Sequence, residues 1–409
     1  MKFNKPSQLF LVSSIGLLVA TLLSACQIVT IDYAFVASSS SNSSSSEGQI
    51  QVFAVDSESG ALRPGANTVD SGGVSPIALT VTSDYANLYV ANQTTKNVVH
   101  FTIASNGTLT LKDKITLTDT PVALAVNAAG TYLYVLTGTT SATLTEYALS
   151  SGTIGAAVSA GTTTLSLSSV SSSYSSDTIV PKALTVSPDG GAVYAVAYDK
   201  SAYNPGGTTT SSAHSGWIFG YTIGTGGALT AVNSGTPYQA GVEPSAIAID
   251  PTSRFVYVTD YASNQLVGYG IGSTYALTVM ASGPFKTGNE PVAITVDPRG
   301  LYIYVANTLD NDVTAYTITQ SSGAPSTIVN STSTVYSTDT QPMSLVVDPA
   351  LGRFVYTANQ LGNDVTGFRL SADTGAMTTN QASPYTSGYG PTSIAMVPHG
   401  NHSVQAVAK

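Results

Sequence analysis

The chain has 409 residues, of which 9% are charged and 43% hydrophobic, and its 53 Ser and 54 Thr make up roughly a quarter of it. So little charge argues against coiled coils, long solvated helices and a charge-rich disordered chain, while Val, Thr and 23 Tyr favour strands. A net charge of −9 leaves no basic footprint for nucleic acid, and the length admits one large β domain or two smaller ones.

Residues 1–25 read as a secretory signal: Lys2 and Lys5 precede an apolar run from Leu9 to Leu23, which closes on Leu23-Ser24-Ala25-Cys26. The run falls short of the ~20 residues that span a bilayer as a helix. Its end resembles the lipobox of bacterial lipoproteins. That resemblance implies a lipidated Cys26 as the new N-terminus, a tether over residues 26–31, and a protein secreted across the inner membrane and lipid-anchored in the cell envelope. Gln27, in place of the Asp that favours inner-membrane retention in some bacteria, points to the outer membrane or cell surface. Cys26 is the single Cys, so no internal disulfide is possible, and loss of Lys2 and Lys5 takes the net charge to −11.

Next come an alternating strand at Asp32 to Ala37, a nearly pure serine loop at Ser38 to Ser46, a strand at Gln49 to Val55, a Ser-Glu-Ser-Gly turn and a strand near Ala61. A pattern then recurs with starts at Pro76, Pro121, Pro181, Pro244, Pro291 and Pro342. Each copy has Pro, any residue, Ala or Ser, an apolar alternation, a turn often written Asp-Pro-x-x-Gly, an aromatic-rich strand and a third strand. A seventh copy starts at Pro391 and stops after one strand. Spacings of 45, 60, 63, 47, 51 and 49 residues fit one four-stranded propeller blade per repeat and exclude two independent domains. The missing strands of the seventh blade lie at the N-terminus. The fold class is therefore all-β, a seven-bladed propeller over residues 32–398, closed by pairing the C-terminal strand with N-terminal strands and followed by a tail at 399–409.

Tyr-Val-Ala-Asn at Tyr89 and Tyr304, Tyr-Val-Thr-Asp at Tyr257 and Tyr-Thr-Ala-Asn at Tyr356, each behind a Pro-x-Ala/Ser strand, resemble the lactonase-type seven-bladed propellers (6-phosphogluconolactonase-like) and the related YVTN repeat proteins. The resemblance implies the fold strongly and the chemistry weakly, because propellers host many functions.

Blade topology puts the fourth-to-first and second-to-third connections on one face, here the top. Ser75, Thr120, Val180, Glu243, Glu290, Gln341 and Gly390 precede the blade prolines and are expected to ring the channel mouth there. Glu243 and Glu290 are candidates to hold sugar hydroxyls or a cation, or are solvated loop positions. The Asn and Asp of the second-to-third loops, Asp310-Asn311-Asp312 among them, read as turn formers and not as an EF-hand. A long insertion between Asp199 and Gly216 brings Tyr203 and His214 beside Trp217, a candidate carbohydrate surface; equally, Trp217 packs at the start of a strand.

In the lactonase family Arg, His and Glu near the channel carry the chemistry, with a Pro-Arg-His at the start of one blade. The matching tripeptide here is Pro181-Lys182-Ala183, which keeps a cation and loses the imidazole, and the family's Asn-Glu falls on Ala197 and Tyr198. Arg63, Arg254, Arg299 and Arg353 all map to bottom turns. The resulting expectation is a monomeric, cofactor-free envelope lipoprotein that binds a saccharide or protein ligand at its top face through Lys182, Tyr203, His214, Trp217, Glu243, Glu290 and Gln341. The alternatives are a sugar-lactone hydrolase using Lys182 with Glu243 or Glu290, and a structural or adhesive surface module.

Overall fold

Strands form wherever short apolar and hydroxyl residues alternate, and Gly, Asn and Asp turns stop them after six to nine residues in most cases. The structure is a computed structural model that describes residues 29–39, 46–139, 141–171, 178–205, 215–328 and 334–399. The signal segment, Cys26, most of the serine loop, His214 and the tail after His399 lie outside the described residues.

Seven antiparallel sheets follow in chain order. The closing blade joins β1 (Thr30–Ser38), β2 (Gln49–Asp56) and β3 (Leu62–Asp70) to the last strand, β32 (Pro391–Pro398). Blade 1 is β4 (Pro76–Val81), β5 (Asn87–Asn92), β6 (Asn97–Ile103) and β7 (Leu109–Thr116); blade 2 is β8 (Pro121–Val126), β9 (Tyr132–Thr137), β10 (Thr143–Ser150) and β11 (Thr153–Thr164). Blade 3 starts with β12 (Ile179–Val186), β13 (Ala192–Asp199) and β14 (Gly216–Ile223), and blade 4 with β17 (Pro244–Ile249), β18 (Phe255–Asp260) and β19 (Gln265–Ile271). Blade 5 starts with β22 (Pro291–Val296), β23 (Tyr302–Asn307) and β24 (Asp312–Ile318), and blade 6 with β27 (Pro342–Val347), β28 (Phe354–Asn359) and β29 (Asp364–Leu370). In blades 3 to 6 the outer strand is broken into two short pieces that both pair with the third strand, as with Leu229–Ala231 and Tyr238–Gln239 on β14.

The first strands of the blades line the axis, each beside its neighbours. Closure is by β1 against β32, with Tyr33 opposite Val397 and Val36 opposite Ile394. One start differs from expectation. Val180 is inside β12, opposite Tyr198, because this hairpin runs two residues further than the others, and Thr178 takes the loop position by accepting from the Lys200 N–H.

The core is divided into seven apolar clusters, one between each pair of adjacent blades. Within five of them a second-strand tyrosine is fully buried and donates its hydroxyl to a carbonyl in the next blade: Tyr89 to Gly152 at 2.5 Å, Tyr194 to Tyr275 at 2.7 Å, Tyr257 to Gly323 at 2.7 Å, Tyr304 to Gly375 at 3.0 Å and Tyr356 to Gly60 at 2.7 Å. The bottom turns are fixed by the residue that ends the first strand. Asp250 Oδ1 accepts the N–H groups of Arg254 and Phe255, and Asp297 Oδ1 those of Leu301 and Tyr302. Asp348 takes four such bonds, and Asn127 takes two, from Thr131 and Tyr132, with its amide oxygen.

Two carboxyls stand out. Glu146 of β10 is fully buried between Tyr134 and blade 3, with no hydrogen-bond partner by geometry on either oxygen, and burial pushes it up to about 7. Asp32 of β1 is likewise buried, and desolvation followed by the Asp348 charge pushes it up to about 9.

Tyr257→Phe removes one interblade bond and leaves the Gly323 carbonyl buried without its donor, so unfolding in urea is expected to show a loss of about 1–2 kcal/mol. Glu146 carries its own pH signature. Its folded affinity for the proton exceeds the unfolded one, so the cost is absent below about pH 4.5, grows as the unfolded chain ionises, and is complete above about pH 7. Glu146→Gln removes that cost. Its melting temperature is expected to match the parent's at pH 4.5 and to exceed it increasingly up to pH 7.5, where the gain reaches about 3 kcal/mol, at ~1.4 kcal/mol for each pH unit. A constant difference across this range would refute the assignment.

Candidate functional site at the channel mouth

On the top face, a repeated clamp shapes the mouth. The residue before the first strand turns, in four blades, through the left-handed region, with φ of 60° at Ser75, 54° at Glu290, 63° at Gln341 and 58° at Gly390. Its carbonyl accepts from the residue just past the second strand, as Glu243 does from Tyr261 at 2.8 Å and Glu290 from Thr308 at 2.9 Å. Its amide is held by a second-to-third loop of the preceding blade: Asn264 Oδ1 takes Glu290 N–H at 2.9 Å, Asn311 takes Gln341 at 2.7 Å and Asn363 takes Gly390 at 2.8 Å. The loop amides are therefore turn formers, as expected. Asp310 binds the Asn289 N–H and side-chain amide, and Asp312 accepts from Asn307 at 2.6 Å. Their oxygens serve separate turns, and no group of three metal-ligating acidic, His or Cys side chains occurs among the described residues.

The clamp at blade 4 carries the most chemistry. Asp260, at the end of β18 and fully buried, accepts the amides of Val242 and Glu243 at 3.0 and 2.9 Å and the Gln265 side chain at 2.9 Å. That fixes the Glu243 backbone. Its side chain, 5% exposed, accepts from Lys182 Nζ of β12 at 2.8 Å, while its other oxygen, Oε2, is buried with no hydrogen-bond partner by geometry. Lys182 also sits 5.2 Å from the centre of the Tyr198 ring, and Tyr198 meets Tyr203 edge to face with centroids 5.8 Å apart. Burial, then the Glu243 charge, pushes the Tyr203 phenol up to about 12; burial, then the Glu290 carboxylate beside it, does the same to Tyr261. Lys182, Tyr198, Tyr203, Glu243, Tyr261 and Glu290 thus form one group across blades 3 to 5.

The structure brings Lys182, Glu243 and Glu290 together and adds Tyr203, which the sequence reading had placed with His214 and Trp217 on a separate loop surface. It separates Trp217 from them: this ring lies in β14, is 7% exposed and packs with Leu165, Leu167 and Ile179 between blades 2 and 3, so it is core and not a binding surface. The indole is needed there to fill the gap beside the small residues Ala195 and Ala197. Gln341 holds its place in the ring through backbone bonds, and no hydrogen bond of its side chain to the Lys182 group is present among the described residues. Tyr198 and Tyr261 were missed as members of the group, Tyr198 as a buried support beneath Lys182 and Tyr261 as a part-exposed ring. Each stands at the end of a second strand or just after it, Tyr261 directly behind Tyr-Val-Thr-Asp, and that position next to a clamp was the available signal.

The arginines stay on the far side. Arg63 pairs with Asp56 at 2.5 Å, Arg299 with Asp297 at 2.7 Å, and Arg254 donates to Gln320 at 3.0 Å, all at bottom turns. Arg353 and Arg369 flank the bottom of the β28–β29 pair.

Comparison with known proteins places this geometry. The sequence model described as lactonase, 7-bladed beta-propeller matches residues 46–160 and 273–395, together more than half of the chain. Among solved structures, the periplasmic gluconolactonase of Pseudomonas aeruginosa is 19% identical, with 90% of this chain and 100% of that one covered and a TM-score of 0.69. Two proteins described as putative 6-phosphogluconolactonases are each 16% identical over 90% of this chain. That of Bacteroides fragilis is covered to 98% with a TM-score of 0.69, and that of Bacteroides uniformis to 100% with a TM-score of 0.70. None of the curated protein sequences matches.

Lys182→Ala strips a buried carboxylate of its counter-ion. Because the lysine is half-buried, the expected loss is about 2 kcal/mol, between exposed and fully buried pairs. Most of it should return in the Lys182→Ala/Glu243→Gln double variant, as read from urea unfolding of all four proteins; additive losses would show that the pair is not coupled.

Proposed function

The chain belongs to the lactonase, seven-bladed β-propeller family, and on that premise we propose that it is a non-catalytic binding module of the cell envelope which holds a neutral saccharide at the top mouth of its channel. The observation that carries this reading is the closed pair between Lys182 and Glu243 at 2.8 Å. It neutralises the lysine of the group and leaves the second carboxylate, Glu290, with no ion pair among the described residues, while the other top-face loop cations, Lys96 and Lys200, sit in second-to-third loops outside the group. Such a field repels phosphate and carboxylate substrates. The part-exposed Tyr203 and Tyr261 offer instead phenol hydroxyls and apolar ring faces, which suit the alternating C–H and O–H surface of a sugar, with the buried Tyr198 packed behind Lys182 and Tyr203. With phenols pushed up to about 12, Tyr203 and Tyr261 stay protonated at physiological pH, their hydroxyls facing Glu243 and Glu290 and their oxygens placed to accept from sugar hydroxyls.

The envelope location rests on the signal-like residues 1–25 and on Cys26, four residues before β1 begins at Thr30. That separation spans at most about 14 Å. A lipid on Cys26 would hold the bottom turns toward the membrane and turn the channel mouth away from it.

A second reading, hydrolysis of an uncharged sugar lactone, is favoured by one feature: Glu243 Oε2 is buried, without a hydrogen-bond partner by geometry, beside a lysine that could stabilise an oxyanion. Assays of the mature protein separate the two. Neutral oligosaccharides on an array are expected to bind, with affinity reduced at least tenfold in Tyr203→Ala and Tyr261→Ala, while gluconolactone and its 6-phosphate open no faster than in buffer. A hydrolysis rate above background that falls in Lys182→Ala would establish the second reading and overturn the first. Silence on every glycan, with no hydrolysis, would leave the chain as a structural surface module.

A further inference from the structure

The bottom face is sealed between most blades by the turn that joins third and fourth strands. That turn has five or six residues in six of the blades. At the junction of blades 3 and 4, Tyr275 lies against Gly191 and its hydroxyl donates to Asp189 at 3.1 Å. Between blades 4 and 5 Arg254 reaches Gln320, and between blades 5 and 6 Arg299 and Tyr302 reach the Ala372 carbonyl at 3.4 and 3.2 Å. Blade 2 is the exception. Its turn is only Ser151-Gly152, with φ of 50° and 82°, the tight geometry of a two-residue hairpin. Three or more residues that would cover the junction with blade 1 are missing, and a cavity of about 660 Å³ opens there.

The interior of this cavity is mixed in character. Its walls come from the bottom turns of blades 1 and 2 and present the exposed hydroxyls of Thr131 and Ser151, with Ile103 and Leu149 as apolar patches; the hydroxyl of Thr82, a residue 2% exposed, is held by Asp84 and the Asn87 N–H. Asn87 at its inner end is 7% exposed, its side-chain oxygen 2.9 Å from His100 Nε2. His100 Nδ1 in turn faces Asp113 Oδ2 at 2.8 Å, and the ring stacks on Tyr89 at 5.0 Å. Asp113 takes the Ile154 N–H at 3.2 Å, which ties the network back to blade 2. This buried array has no part at the channel mouth; it holds Asn87 in place against the cavity.

We infer that this bottom cavity is a second binding site, for a neutral saccharide of one or two rings. Its volume falls within the ~300–1,000 Å³ of small-molecule sites. No lysine or arginine lines it. The one carboxylate, Asp84, has Oδ1 committed to the Thr82 hydroxyl at 2.5 Å and the Ala86 amide at 3.0 Å, so anionic ligands meet a negative charge with no compensation. The exposed hydroxyls of Thr131 and Ser151 beside two apolar patches match sugar hydroxyls beside C–H faces, over a floor formed by the Asn87 amide, which is bonded to His100 and Thr82.

The inference is tested by methyl NMR of the full chain with labelled Ile and Leu, titrated with maltose and with cellobiose and, as an anionic control, with glucose 6-phosphate. Saturable shifts of Ile103 and Leu149 are expected with a disaccharide. They should persist in Tyr203→Ala, which separates this site from the channel mouth, and weaken at least tenfold in Ala129→Trp, which fills the cavity from an exposed turn. If Ala129→Trp does not fold, Ser83→Trp fills the same space. Displacement of the disaccharide by vesicles carrying a neutral glycosyl-diacylglycerol would identify a membrane headgroup as the source, and its absence a free sugar. No shift at Ile103 and Leu149, equal shifts with glucose 6-phosphate, or shifts that survive the filled cavity would each overturn the inference.

Discussion

Everything in this molecule depends on the pairing of its two ends. Six of the seven blades are built from consecutive strands, and each could pair internally without help. A ring of six and a fraction would leave the inner flank of β1 and both flanks of β32 open to other chains. The antiparallel β1–β32 ladder removes those edges and sets the angle between neighbouring blades by fixing their number at seven. The channel radius, the spacing of the clamps and the distance from Lys182 to Glu243 across two blades follow from that closure.

Within the closed ring, the blades are held by apolar clusters and aligned by single polar bonds. A tyrosine hydroxyl reaching a carbonyl in the next blade is a directional device in an otherwise non-directional interface, and it needs a short residue opposite: Gly220, Gly268, Ala315 and Gly367 stand across from Tyr194, Tyr257, Tyr304 and Tyr356. Three blades depart from this rule: the closing blade has Phe35 opposite Val52, and the other two carry buried ionisable groups in that place. His100 stands across from Tyr89 and Glu146 across from Tyr134. In blade 1 the tyrosine bond survives because Asn87 and Asp113 absorb the imidazole; in blade 2 no bond from Tyr134 to blade 3 is present among the described contacts, and the carboxyl keeps its proton toward neutrality. Local departures from the repeat also mark the functional surfaces. The longer hairpin of blade 3 lifts Tyr198 beside Lys182, and the shortened turn of blade 2 opens the bottom cavity.

The fold was legible because the repeat writes its periodicity in residues with one physical job each: a proline that starts the inner strand, an Asp or Asn that caps the bottom turn, a buried aromatic in the second strand. The placement of arginines at the bottom followed from the same register. The site was legible only in part. Lys182, Glu243 and Glu290 occupy repeat positions that register alone puts at the mouth, whereas Trp217 lies within a strand, where the choice between solvent and core is made by the neighbouring blade. Tyr261 was passed over because its importance comes from Glu243 and Glu290, 18 residues before it and 29 after it in the chain.

By itself, then, the sequence determined the strand order, the number of blades, the closure and the face on which each turn emerges, since all of these follow from local alternation and a count of repeats. Only the tertiary structure decided which charges neutralise one another, which aromatics face the ligand side, and which junction between blades stays open. Those outcomes depend on side-chain reach across blade boundaries. Distances of a few ångströms between residues 60 or more positions apart are set by the packing of the whole ring, and no local pattern encodes them.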